Sequence, residues 1–105
     1  MSYQPVAPVD SLWPGEMLGA VVGSAKVLLV NLDGTIHAYE NRCAHRGALL
    51  SSGRLSGHIL TCSAHEWCYD ACTGRGVNPA TARLRRFPIQ IDNGFIFVDV
   101  SHESE

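Results

Sequence analysis

KVLLVNLDGTIHAY, residues 26–39, decides the fold. Its first half is a short, nearly continuous apolar run, Lys26 to Leu32. Its second half, Thr35 to Tyr39, alternates apolar with small or polar residues. Short apolar runs bounded by turn residues read as strands, and Asp33-Gly34 between them favours a tight hairpin because both central residues of such a turn take positive φ. The same device recurs near the C-terminus, where FPIQI (residues 87–91) meets Asp92-Asn93-Gly94 and returns as FIFVDV (residues 95–100). Shorter strands are expected at 18–22, 58–61 and 66–70, separated by Gly, Ser and Pro clusters. No amphipathic helix of ten residues stands out; the nearest stretch, Ala80 to Arg86, is short and follows Pro79. The fold class is therefore all-β, a small antiparallel β-sandwich or barrel.

Bulk composition narrows the function. At 105 residues the chain is expected to form one domain over residues 1–105, burying roughly 65% of its unfolded surface, so a bound cofactor would add materially to stability. Hydrophobic residues make up 46% and charged ones 17%, which argues against disorder. No stretch approaches the length of a membrane span, and MSYQPVAPVD lacks the order of a signal peptide, so a cytoplasmic protein with no membrane association is expected. Thiols stay reduced there, and four cysteines then point to metal or redox chemistry. Eight basic residues against ten acidic ones give no basic face for nucleic acid.

Every cysteine lies between the two hairpins, in a loop-rich stretch at residues 41–79. It contains Cys43-Ala44-His45 and, after sixteen intervening residues, Cys62-Ser63-Ala64-His65. Each motif offers one thiolate and one imidazole, and a strand at HIL (residues 58–60) would bring one loop back beside the other. Zinc accepts these donors, but structural zinc sites pair cysteine with cysteine and histidine with histidine at other spacings. A two-iron, two-sulfide cluster with two cysteines on one iron and two histidines on the other uses this mixture.

The pair C-A-H and C-S-A-H resembles the Rieske signature, C-x-H followed by C-x-x-H. Gly47, Trp67, Tyr69, Asp70, Thr73 and Gly74 fall where that family has its glycine, its aromatic-aspartate pair and its Thr/Ser-Gly turn, and VNP (residues 77–79) falls at its proline loop. LWPGEM, residues 12–17, is similar to the Rieske ferredoxins of toluene monooxygenase systems. The resemblance implies a Rieske-type sandwich with a cluster-binding subdomain at approximately 41–79, holding one [2Fe-2S] cluster. It places Cys43 and Cys62 on the inner iron and His45 and His65, through Nδ1, on the outer iron, with their Nε2 edges towards solvent.

The same resemblance implies a monomeric one-electron carrier without catalytic residues. Its electrons would come from an NADH-dependent flavin reductase and go to a bacterial di-iron aromatic monooxygenase. Alternatives are the ferredoxin of a ring-hydroxylating dioxygenase, the small subunit of an assimilatory nitrite reductase, and a zinc-stabilised interaction module.

Two thiolates and two neutral imidazoles leave the oxidised centre neutral, where four thiolates would leave it doubly negative. Reduction is then easier, within a span of about −150 to +300 mV. Ala48, Ala64 and Trp67 stand where high-potential relatives have two cysteines and a serine, and so suggest a low potential. Tyr69, where many such ferredoxins have Phe, could donate to the Cys43 sulfur and raise it. Arg42 and Arg46 flank the first loop, either as solubilising charges or as a docking pair for a partner's carboxylates. Cys68 and Cys72 read as small buried or inert thiols, His37, His58 and His102 as solvated residues, and Trp13 and Trp67 as packing, Trp67 with the better claim to shielding or partner contact.

Overall fold

Asp33 and Gly34, with φ of 54° and 95°, close the two-residue hairpin expected of them. In the computed structural model, which describes residues 3–43, 49–63, 67–78 and 80–101, that turn joins two strands of an antiparallel assembly. In chain order the strands are β1 (Gln4–Pro8), β2 (Met17–Val22), β3 (Ala25–Leu32), β4 (Thr35–Glu40), β5 (Arg54–Ser56), β6 (Ile59–Thr61), β7 (Cys68–Asp70), β8 (Gly76–Asn78), β9 (Arg86–Phe87), β10 (Ile89–Asp92) and β11 (Phe95–Val98). They form three sheets, ordered β1-β11-β10, β2-β3-β4-β9 and β5-β6-β7-β8. Single 3-10 turns at Val9–Ser11 and Leu50–Ser52 are the only helical segments among the described residues.

β3 explains why its sequence is apolar without alternation. Leu28, Val30 and Leu32 face one core with Tyr39, Leu50, Leu60, Tyr69 and Leu84. Val27 and Leu29 face the other, with Ile36, Ala38, Phe87, Ile96 and Val98. A strand buried on both faces needs apolar residues at every position, whereas a half-exposed strand needs only every second one. β3 is thus the wall between two cores: one beneath the N- and C-terminal strands, the other beneath the cysteine-bearing sheet.

The C-terminal hairpin departs from expectation in two ways. Its turn has two residues, Asn93 (φ 52°) and Gly94 (φ 74°), because Asp92 pairs with Phe95 inside the ladder. The run FPIQI is also not one strand. Arg86 and Phe87 pair with Tyr39 and Ala38 in the β2-β3-β4-β9 sheet, while Ile89 to Asp92 pair with β11 in another. Pro88 marks the switch: it has no N–H for a ladder, and its carbonyl instead accepts the Asp99 N–H at 3.1 Å.

Three strands, β1, β5 and β8, have no counterpart in the sequence expectations. β1 carries two prolines and survives as an edge strand with a register shift between Pro5 and Ala7, where missing donors cost least. The Ala80–Arg86 stretch begins as a turn at Ala80 and Thr81 and continues without a helix, with Gly76 N–H donating to the Ala82 carbonyl and Leu84 N–H to that of Gly74, both at 2.8 Å.

Gly53 links the Leu50–Ser52 turn to β5, and a Cβ there would lie 2.0 Å from the Thr61 carbonyl oxygen. Gly53→Ala must therefore displace β6, the strand that delivers Cys62. We expect a loss of about 2–4 kcal/mol in denaturant unfolding.

Candidate metal centre

The two cysteine loops are each pinned at the base. After β4 the chain turns outward through an Arg42 N–H bond to the Glu40 carbonyl (2.8 Å) and an Asn41 N–H bond to that of Lys26 (2.9 Å). The buried Asn41 side chain then spans the loop: Oδ1 accepts the Ser51 N–H and Nδ2 donates to Ser51 Oγ, both at 3.0 Å. Gly19 of β2 makes room for this clamp, since a Cβ there would meet Asn41 Nδ2 and Ser51 Oγ at 2.9 Å. The second loop leaves β6 at Cys62, whose N–H donates to the Trp67 carbonyl at 2.7 Å and so ties the loop's two ends together.

Those clamps bring Cys43 and Cys62 into one core. Both are fully buried, in the cluster that contains Leu50, Leu60 and Tyr69. Their Sγ atoms are soft donors and reach a metal only as thiolates, which an apolar core disfavours unless a cation neutralises them. Among the described residues no group of three or more His, Cys, Asp or Glu could hold a metal ion. Two of the four expected ligands are not among those residues. His45, His65 and Arg46 lie outside them, as do Gly47, Ala48, Ala64, Pro79 and His102.

Two tyrosines organise the floor of this core. Tyr69 is fully buried, and its hydroxyl stands 3.4 Å from Cys43 Sγ, the contact expected from its place in the sequence. Tyr39, from the neighbouring sheet, donates its hydroxyl to the Ala71 carbonyl at 2.6 Å. Burial pushes the Tyr39 phenol up to about 12, so it remains a neutral donor across the physiological range. Trp67 is half-buried against the same core. Arg42 is exposed and lines a cleft of ≈ 310 Å³ with Lys26, Glu40 and Asn41.

Several residues read as bland from sequence occupy more definite places. Trp13 does no core packing: it is 69% exposed, held by Nε1–H donation to the Asp10 carbonyl. His37 is half-buried rather than solvated; Arg86 Nη2 donates to its Nδ1 at 3.3 Å, and its ring stacks on Tyr39 with centroids 6.4 Å apart. Cys68 and Cys72 are both half-buried. Cys68 Sγ lies 3.6 Å from Thr61 Oγ1, and Cys72 Sγ 3.3 Å from Nδ1 of the exposed His58.

Residues 2–88 match the family model of the Rieske [2Fe-2S] domain. The ferredoxin component of the alkene monooxygenase system of Xanthobacter autotrophicus is 39% identical over 99 residues, covering 93% of this chain and 81% of that protein. The ferredoxin component of the naphthalene 1,2-dioxygenase system of Pseudomonas putida is 33% identical, covering 89% and 90%. Among solved structures, the ferredoxin of carbazole 1,9a-dioxygenase from Nocardioides aromaticivorans superposes with a TM-score of 0.84 at 26% identity, covering 93% of this chain and 97% of that one. A chain of the carbazole 1,9a-dioxygenase oxygenase–ferredoxin complex superposes at 0.83 with 28% identity, covering 91% of each.

The chain belongs to the Rieske [2Fe-2S] family. Like these relatives it is a ferredoxin, an electron-transfer protein of an oxygenase system with one [2Fe-2S] cluster and no catalytic subunit's chemistry of its own. Its two buried thiols fit that cofactor, which neutralises thiolates where water cannot.

Two expected outcomes test the core around the centre. Desolvation first, and the Arg86 charge second, hold the His37 imidazole below its ordinary 6.5. The unfolded chain therefore binds a proton before the folded one does. This contribution to stability is present above about pH 6.5 and fades as the pH falls through the lower folded value. Thermal midpoints followed by circular dichroism should drop less on acidification in His37→Gln than in the wild type. Tyr39→Phe leaves the Ala71 carbonyl unpaired in the core and should cost about 1–3 kcal/mol in denaturant unfolding.

Proposed function

We propose that Cys43 and Cys62 bind the inner iron and His45 and His65 the outer iron of the [2Fe-2S] cluster. We propose further that the protein, as a cytoplasmic monomer, carries single electrons from an NADH-dependent flavin reductase to a di-iron aromatic monooxygenase. The observation that carries the ligand set is that two wholly buried thiols share one core, each opening a Cys-x-His or Cys-x-x-His segment. When bound, the cluster supplies reversible one-electron chemistry. The residues of the chain do the rest. The Asn41–Ser51 clamp and the Cys62–Trp67 bond hold the thiols in place, and Tyr69 O–H donates to the Cys43 thiolate.

Kinship favours a monooxygenase, since the alkene monooxygenase ferredoxin is 39% identical against 33% for the naphthalene dioxygenase ferredoxin. A dioxygenase partner is the second reading, supported by the carbazole dioxygenase ferredoxins that share the fold. Charge along the sequence supports docking through the segment that carries the ligand motifs. Seven of the eight basic residues (Arg42, Arg46, Arg54, Arg75, Arg83, Arg85 and Arg86) fall between positions 42 and 86, against two acidic ones, Glu66 and Asp70. A net positive segment attracts carboxylates on a partner, so transfer rates should fall as salt rises.

The decisive experiment is spectroscopic. The purified protein should be coloured and, when reduced, give the electron paramagnetic resonance signal of a mixed-ligand two-iron cluster; His65→Cys should shift that signal towards the all-thiolate type. A colourless, zinc-loaded protein would refute the assignment. Reconstitution with a di-iron hydroxylase and with a ring-hydroxylating oxygenase separates the two partner readings by which one turns over. Tyr69→Phe removes a hydrogen bond that strengthens as the cluster gains negative charge. If about 1 kcal/mol of it is differential, the potential falls by roughly 40 mV for one electron, as read by voltammetry.

A further inference from the structure

Three turns place a carboxylate, an imidazole and a thiol in a row. Asp33 Oδ2 is 3.2 Å from His58 Nε2, and His58 Nδ1 is 3.3 Å from Cys72 Sγ. One tautomer satisfies both contacts. An ionised carboxylate only accepts, so Nε2 carries the proton, and the Nδ1 lone pair is left facing the thiol.

The row is held from behind. Asp33 sits in the β3–β4 turn, braced by the Gly34 N–H bond to Asn31 Oδ1 at 2.8 Å. The carbonyl of His58, in the β5–β6 turn, accepts the Ala71 N–H at 2.7 Å. Cys72 follows β7, its N–H donating to Asp70 Oδ1 at 2.9 Å. Asp33 and His58 also border a cleft of ≈ 260 Å³ with Pro14, Leu32 and Leu55, and Cys72 is half-buried beside His58.

From these contacts we propose that Cys72 is a reactive thiol, and that the site forms mixed disulfides with small-molecule disulfides of the glutathione type. His58 Nδ1 accepts the thiol proton, and Asp33 orients the ring and stabilises the imidazolium. The Cys72 thiolate attacks one sulfur of the disulfide; a new S–S bond forms as the old one breaks. The leaving thiolate takes the proton from His58 and departs as free thiol. Cys72 is oxidised, half of the reagent is reduced, and no other electron donor is needed.

The test is incubation of the cluster-loaded protein with glutathione disulfide, followed by intact-mass and peptide mass spectrometry. One adduct per chain is expected, on Cys72. It is absent in Cys72→Ser and unchanged in rate in Cys68→Ser. At neutral pH, His58→Gln should slow adduct formation by about tenfold or more, and Asp33→Asn, compatible with the positive φ of that turn, should slow it by a smaller factor. The visible spectrum of the cluster, unaltered in each variant, establishes that folding and the metal centre are intact. Should His58→Gln perturb that spectrum, Asp33→Asn alone decides the question. No adduct, an adduct on Cys68, or a rate indifferent to Asp33 and His58 overturns the proposal.

Discussion

Burial of β3 on both faces is the constraint on which the molecule depends. A strand that walls two cores cannot tolerate a polar face, and it obliges each flanking layer to cover one side of it. The N- and C-terminal strands cover one side. The cysteine-bearing sheet covers the other, and its apolar underside, Leu60, Tyr69 and Ala71, is the floor on which Cys43 and Cys62 rest. The two buried thiols are thus part of the hydrophobic core.

Continuity between core and centre gives the buried polar atoms their importance. A hydroxyl or amide inside an apolar interior costs free energy unless it is bonded. Here each such group bonds across a structural joint: Tyr39 to the strand end at Ala71, Tyr69 to the Cys43 sulfur, Asn41 across the first loop to Ser51. The bonds that avoid a desolvation penalty also fix the positions of the thiols. Electron transfer asks little else of a protein, since it needs no substrate pocket.

Much of this was legible in the sequence, for reasons specific to individual residues. Asp33-Gly34 announced its turn because few other pairs accept positive φ at both positions, and Asp92-Asn93-Gly94 announced a turn that the structure shortens to Asn93-Gly94. The cysteine-histidine motifs suggested a candidate centre because mixed donors at such spacing suit few metals. Tyr69 was placed against Cys43 by resemblance, and the 3.4 Å contact agrees. The run FPIQI misled because period and propensity cannot show which neighbour a strand joins; Pro88 divides it between two sheets. β1, β5 and β8 were hidden by their shortness or their prolines, and tertiary pairing alone makes them strands.

The sequence by itself determined the β class, the two hairpin turns and the candidate ligands, because those depend on local dihedral preferences and donor chemistry. Only the tertiary structure decided which residues meet. It exposed Trp13, which reads as packing, and buried His37 against Arg86, which reads as solvated. It also set Cys72 beside His58 and His58 beside Asp33, residues separated by 14 and 25 positions. No local pattern encodes those contacts, since they arise where turns from three different hairpins are brought to one edge by the packing of sheets on β3.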